Sequence, residues 1–238
     1  LEYFRGNTIG WTEIEAELTA PLGGGTGSNT GLGTRMVLMG GTDGSGVVDV
    51  IQFITISTLG NAQDFGNLSS ARQEGAAATN HLRGLYFGGD PSLNIIEFVT
   101  FSSLGNVTDF GDLLNGAKSG TSMSDRTRGV LQLGGTTANI LEYVTFAQTG
   151  NAVDFGDMLT GGSAGSGFSS STRGVYAIGS NNANYKNIIE FITISTTGNG
   201  TDFGDLSGLY IHRNAYSNAT RGVFHSGYQY PASPNFSN

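Results

Sequence analysis

The sequence predicts an all-β chain, folded as a five-bladed β-propeller. Three observations carry that expectation: an internal repeat of about 48 residues that recurs five times, short β-branched and aromatic runs inside each repeat, and an excess of glycine. Glycine supplies 39 of the 238 residues, against ~7% in an average protein, so the backbone turns often. The 37% of hydrophobic residues is enough for a core, which argues against wholesale disorder. No segment shows the apolar spacing of an amphipathic helix.

The repeat is legible residue by residue. Asp49-Val-Ile-Gln-Phe53, Asn94-Ile-Ile-Glu-Phe98, Asn139-Ile-Leu-Glu-Tyr143 and Asn187-Ile-Ile-Glu-Phe191 align, and each leads to a glycine at Gly60, Gly105, Gly150 or Gly198 followed by Asn. Asp-Phe-Gly comes next, at Asp64, Asp109, Asp154 and Asp202, at intervals of 45, 45 and 48 residues. An arginine marks all five units, at Arg35, Arg83, Arg128, Arg173 and Arg221. The N-terminal unit is the divergent one. Placing Leu1-Glu2-Tyr3 on Ile96-Glu97-Phe98 brings Gly10 onto Gly105 and Leu18 onto Leu113 without a gap, with Trp11 and Ile14 in place of the usual apolar residues around the third strand. The units run approximately 1–47, 48–91, 92–136, 137–181 and 182–238, and form a single domain.

Within a unit, Ile95–Phe101 and Arg128–Leu133 have the length and composition of strands. Gly105-Asn106 reads as a turn, Val107–Leu113 as a shorter strand, and the small, polar Gly116–Asp125 as either a tightly packed inner strand or a loop. Three or four strands at a period in the forties fit a propeller blade. The last unit ends in Thr220–Phe224, the strand that elsewhere precedes a Glu-aromatic strand, and Leu1–Leu18 supplies that missing follower. Pairing of the N- and C-terminal strands then closes the ring and removes an open sheet edge. A β-solenoid of five repeats is the rival, although solenoid coils repeat at shorter periods and need caps.

Composition narrows function. Net charge is −8, with only Lys118 and Lys186 as lysines, a poor match to nucleic-acid phosphates. No apolar run approaches the ~20 residues that insert across a bilayer as a helix. The chain has no cysteine, so disulfides, thiolate nucleophiles and Cys-ligated metals are excluded, and the redox compartment stays open. Leu1 is not an initiator Met and no signal-peptide pattern precedes it, so the chain reads as a processed product or the ordered part of something longer.

The motifs are best read as structural. Asp-Phe-Gly occurs four times without a Gly-rich phosphate loop or a catalytic loop, which argues against kinase chemistry. Instead Asp should accept backbone N–H bonds at a turn, Phe should pack between blades and Gly should take a positive φ. The repeated Arg and Asp are expected to pair across neighbouring blades. Asp109 with Asp112, Asp154 with Asp157 and Asp202 with Asp205 form Asp-x-x-Asp, read as solvated turns because a calcium loop needs more oxygen ligands. His81, His212 and His225 occupy different places in their units and make no zinc pattern. No metal or cofactor is expected.

The unit resembles the kelch repeat: an apolar strand ending in Gly-Gly (Gly40-Gly41, Gly88-Gly89, Gly134-Gly135), an aromatic, a second aromatic, then an Arg. Tyr3, Trp11 and Arg35 make the first unit the nearest to it, whereas the others place Phe65, Phe110, Phe155 or Phe203 about twelve residues after the first aromatic. The string from Ile189 to Leu206 is similar to repeats in tail-associated or virion-associated proteins of marine bacteriophages, including those of cyanobacteria. That likeness covers Val48 to about Phe224. It implies a non-enzymatic virion protein, in a tail fibre, appendage or capsid decoration, that acts in adhesion or assembly. The implied partners are other virion proteins, copies of itself or a host-surface glycan, and the implied location is the virion or the extracellular space. A soluble multivalent lectin is the alternative, and a polysaccharide hydrolase is third. Function on repeat scaffolds sits on what deviates from the repeat, which points to Trp11, Tyr210, His212 and Tyr216 as ligand-binding residues through aromatic platforms and hydrogen bonds.

Overall fold

The computed structural model describes residues 2–4, 11–13, 35–135, 139–181, 184–218, 220–225 and 227–229. These contain strands and no helix. At the N-terminus, β1 (Glu2–Phe4) pairs antiparallel with β2 (Trp11–Glu13). The first repeated sheet is three-stranded: β3 (Arg35–Asp43), β4 (Gly46–Thr55) and β5 (Gln63–Asn67). The second is a four-stranded antiparallel meander of β6 (Ala76–Thr79), β7 (Arg83–Phe87), β8 (Leu93–Thr100) and β9 (Thr108–Ala117). The third repeats it with β10 (Thr121–Ser124), β11 (Arg128–Gln132), β12 (Ile140–Thr145) and β13 (Val153–Asp157). The fourth uses β14 (Ser166–Ser169), β15 (Arg173–Ala177), β18 (Ile188–Thr193) and β19 (Thr201–Asp205), with a small hairpin of β16 (Ser180–Asn181) and β17 (Asn184–Tyr185) inserted between its second and third strands. Then come β20 (Tyr210–Ile211), β21 (Asn214–Ser217), β22 (Gly222–His225) and β23 (Tyr228–Gln229), paired as β20 with β23 and β21 with β22. Gly116–Asp125 therefore splits into the end of β9, a turn and the inner strand β10. The unit divisions at 91/92, 136/137 and 181/182 fall between the second and third strands of a sheet, and the one at 47/48 falls inside β4.

The central strands of the second and third sheets are buried on both faces because each of these sheets is covered on both faces. Ile51, Phe53, Phe65 and Leu68 of the first sheet pack on Tyr86 and Val99 of the second. Leu85, Phe87, Ile96 and Phe110 of the second meet Leu131, Leu133, Val144 and Phe146 of the third. Val130, Leu141 and Phe155 of the third meet Tyr176, Ile178, Ile192 and Ile194 of the fourth. The fourth gives Val175, Ala177 and Ile189 to Phe224 of the last hairpin. A strand that must be apolar on both sides reads as a continuous run rather than an alternation, as Arg128–Leu133 does.

Two repeated turns fix the meander. Asn80 Oδ1 accepts the N–H groups of Leu82 and Arg83 at 2.9 and 2.8 Å. Asp125, Ser170 and Asn218 do the same for Arg128, Arg173 and Arg221 at 2.7, 3.1 and 2.8 Å. Such side-chain acceptors suit tight turns. At the other turn, Gly105 and Val107 donate to Phe65 and Asn67 of the preceding sheet at 2.8 and 3.0 Å, while Asn106 Oδ1 accepts the N–H of Asn67 at 3.0 Å. Gly150-Asn151 and Gly198-Asn199 clasp Phe110–Asp112 and Phe155–Asp157 in the same way. The glycine of Asp-Phe-Gly is required here: Gly111 has φ +145, and a Cβ on it would stand 2.4 Å from the Gly150 carbonyl oxygen.

The innermost strands approach closely, which explains their small residues. Ser124 Oγ donates to Thr79 O at 3.0 Å and Ser217 Oγ to Ser169 O at 2.7 Å, each in the preceding unit. Just before these strands, Glu74, Ser119, Ala164 and His212 share a left-handed conformation, with φ between +52 and +57. Their backbones form a ladder in which Ser119 N–H donates to Glu74 O, Ala164 to Ser119 and His212 to Ala164, at 2.8, 3.4 and 3.0 Å.

The described residues form several small antiparallel sheets, with no pairing of β1 and β22 among them. β1 pairs with β2 in the manner of third and fourth strands. Its register sets Tyr3 opposite Thr12, one residue away from the partner that the gap-free alignment on Phe98 and Thr108 implies.

Candidate functional site

The repeated arginines act between sheets, but not on aspartate. Arg35, Arg83 and Arg128 donate through Nη1 to the carbonyls of Phe101, Phe146 and Ile194 in the following sheet, at 2.6, 2.7 and 3.2 Å. Each guanidinium also stacks over an aromatic of its own sheet: Arg35 over Phe53 at 4.8 Å, and Arg83, Arg128 and Arg173 over Phe98, Tyr143 and Phe191 at 4.7 Å. That aromatic in turn meets the Phe of Asp-Phe-Gly edge-on, at 5.8 to 6.1 Å. Arg221 is exposed in the last hairpin. Asp64, Asp109, Asp154 and Asp202 are exposed on the outermost strands, and the ion pairs among the described residues are Arg72–Glu97 and Lys118–Asp90. The expected Arg–Asp pairing is corrected by geometry. The two lie on the second and fourth strands of one sheet, two strand spacings or roughly 10 Å apart, and the arginine turns toward the neighbouring sheet instead. Nor do these aspartates occupy turns; they lie within strands.

The carboxylates that do join sheets went unrecognised in the sequence reading. Glu142 is fully buried and accepts the N–H groups of Leu114 and Asn115 of the preceding sheet at 2.8 and 3.1 Å, plus Asn115 Nδ2 at 3.0 Å. Glu190 repeats this on Leu159 and Thr160 at 2.8 and 2.9 Å. Burial pushes the Glu190 carboxyl above its ordinary value, against the two backbone N–H bonds that pull it down. Glu97, also buried, pairs with the fully buried Arg72. The available signal was a glutamate recurring inside otherwise apolar strands at Glu97, Glu142 and Glu190, since a buried carboxylate requires partners.

The deviant residues of the last unit are brought only partly together. Tyr210 is half-buried on β20. His212 is exposed and holds the last rung of the left-handed ladder. Tyr216 is 47% exposed on β21, at the position that Ala78 and Met123 bury completely. Its ring lies 6.2 Å from that of His225, tilted by 34°. Trp11 opens β2 opposite Phe4. His225 was missed, yet hairpin arithmetic about Asn218–Arg221 puts it across from Asn214, two residues from Tyr216 on the same face.

Two surface concavities occupy equivalent places in the first and fourth sheets. One lies along Phe53–Gln63, with Thr55, Thr58 and Asn61 in its lining, and the other along Phe191–Thr201, with Thr193, Thr196 and Asn199. Their volumes are about 60 and 300 Å³, and their linings are uncharged, with hydroxyls and amides beside Phe53, Ile54 and Leu59 in one and Phe191 and Ile192 in the other. No group of three or more His, Cys, Asp or Glu residues placed to hold a metal ion occurs among the described residues. No family model matches the chain, and no curated protein matches it significantly.

Proposed function

We propose that the chain is a non-enzymatic, five-bladed, kelch-like propeller of a virus particle, placed in a tail fibre, appendage or capsid decoration, where it mediates host-surface adhesion or particle assembly. The observation that carries a scaffold role is how the interior polar groups are spent. Arg83 and Arg128 reach from one sheet to the backbone of the following one, and Glu142 and Glu190 to that of the preceding one, so the repeat builds rigidity and leaves variation to the exposed surface of the last unit. The virion context rests on the likeness of the Ile189–Leu206 string to marine phage repeats.

Closure into a ring is supported by two apolar faces at opposite ends of the stack. Leu38 and Ile56 on the first sheet are 46% and 63% exposed, whereas their counterparts Tyr176 and Ile194 are fully buried. Phe203 and Val223 at the other end are 54% and 49% exposed, against 2% for Phe155 and 0% for Val130. A fifth sheet built from β21 and β22 with the N-terminal hairpin would cover Phe203 on one side and set Val223, which it carries, against Leu38 and Ile56 on the other.

The test is gold-labelled antibody against the chain, applied to purified particles and viewed by electron microscopy. Label at the tail or capsid surface is expected; particles that contain the polypeptide nowhere refute the virion reading. A second reading, a multivalent lectin, is favoured by the paired neutral concavities. Glycan binding by the free chain that is lost in Thr58→Ala with Thr196→Ala, with no particle association, would select it.

A further inference from the structure

We propose that Arg213 and Tyr176 form a buried site for a small monovalent anion of the halide class. This inference stands independently of the proposed function.

Arg213 is 7% exposed and stands where the other units have Gly75, Gly120 and Gly165. Its Nη2 donates to the carbonyls of Ala177 and Ile178 at 3.0 and 2.7 Å, which seats the guanidinium beside Tyr176. Nε and Nη1 have no acceptor among the described residues, and neither does the hydroxyl of Tyr176, a residue at 0% exposure. The equivalent Tyr86 differs: its hydroxyl accepts the N–H of Gly75 at 3.1 Å.

Charge separates this site from the other buried arginine. Arg72 also leaves Nε and Nη1 without acceptors, but Glu97 balances its charge. Arg213 has no carboxylate partner among the described residues, and an unpaired buried charge is costly. Burial pulls the guanidinium below its ordinary value and pushes the Tyr176 hydroxyl up, so the phenol stays protonated. The site therefore offers three donors and one uncompensated positive charge. A water molecule accepts two hydrogen bonds and brings two protons that need acceptors of their own. A halide accepts from all three donors and cancels the charge.

The experiment is thermal unfolding of the whole chain in chloride and in gluconate at equal ionic strength, paired with anomalous scattering from crystals grown in bromide. At ten times its dissociation constant a bound anion multiplies the folded-to-unfolded ratio about elevenfold, a rise in midpoint of about 3–6 °C for a chain of this size. The rise should vanish in Arg213→Gln and shrink in Tyr176→Phe, which keeps the ring and loses only the hydroxyl. Bromide should scatter between Tyr176 Oη and the Arg213 guanidinium. Equal midpoints in the two salts, a chloride effect that persists in Arg213→Gln, or bromide bound only elsewhere would overturn the proposal. The scattering experiment decides the matter if Arg213→Gln does not fold.

Discussion

Replacing Gly111 with alanine isolates the clasp that joins one sheet to the next, because Gly105 provides a matched control. The two glycines have φ of +145 and +144. An alanine at either meets a similar backbone strain, about 1–3 kcal/mol. Their surroundings differ. A Cβ on Gly111 would lie 2.4 Å from Gly150 O, 2.5 Å from its carbonyl carbon and 2.9 Å from Asn151 N, whereas one on Gly105 meets nothing within 4 Å. Backbone cannot swing aside as a side chain does, so Gly111→Ala must push the Gly150-Asn151 turn off its seat. Three hydrogen bonds go with it: Gly150 N–H to Phe110 O at 2.7 Å, Ala152 N–H to Asp112 O at 2.8 Å, and Asp112 N–H to Asn151 Oδ1 at 3.0 Å. At ~1 kcal/mol each, Gly111→Ala should cost about 3 kcal/mol more than Gly105→Ala. For a chain of this size that separates the melting midpoints by about 6–12 °C, read by circular dichroism. Equal midpoints for the two variants would refute the reasoning, since strain would then be the whole effect and the clasp would contribute nothing.

Arg128→Ala removes one hydrogen bond to Ile194 O and the stacking over Tyr143, and should lower stability by about 1–2 kcal/mol in a urea titration, not the ~3–5 kcal/mol of a broken buried ion pair. Phe155→Ala empties a ring that is 2% exposed between the third and fourth sheets and should cost about 3–5 kcal/mol by the same titration. Glu190 has a folded pKa raised above the ordinary 4.5, so its contribution is fully present below that value and is lost as pH rises through the raised one. The stability of Glu190→Gln relative to the native chain should therefore increase between pH 4 and pH 7, and a flat or falling difference in denaturant midpoints would contradict the assignment.

What the sequence made legible was whatever recurs and is local. The Gly-Asn pairs announced turns, and the Ile-Ile-Glu-Phe runs announced strands. The positive φ of the Asp-Phe-Gly glycines and the packing of Phe65, Phe110 and Phe155 between sheets followed from residue type alone. What stayed hidden depends on which sheet a side chain faces. Periodicity placed Arg128 and Asp154 in successive units but could not say that they share one sheet, nor that the arginine crosses to Ile194 O while the aspartate points to solvent. For the same reason Asn151 was read as a turn former only, although its side chain also binds the preceding sheet. In the last unit, Tyr216 stood out by composition, but its neighbour His225 arrives through strand pairing and could be found only by counting across the hairpin.

The most direct test of ring closure uses the absence of native cysteine. Val175 of β15 faces Phe191 of β18 across their pairing, and Val223 and Tyr3 hold the corresponding positions of the last strand and the N-terminal one. In a closed five-bladed ring Val223→Cys and Tyr3→Cys stand directly opposite one another, within the reach of a disulfide. Mild oxidation of the double variant should give a cross-linked monomer that melts higher than the reduced form. A folded double variant whose thiols remain free, or join only between molecules, would contradict the closed ring.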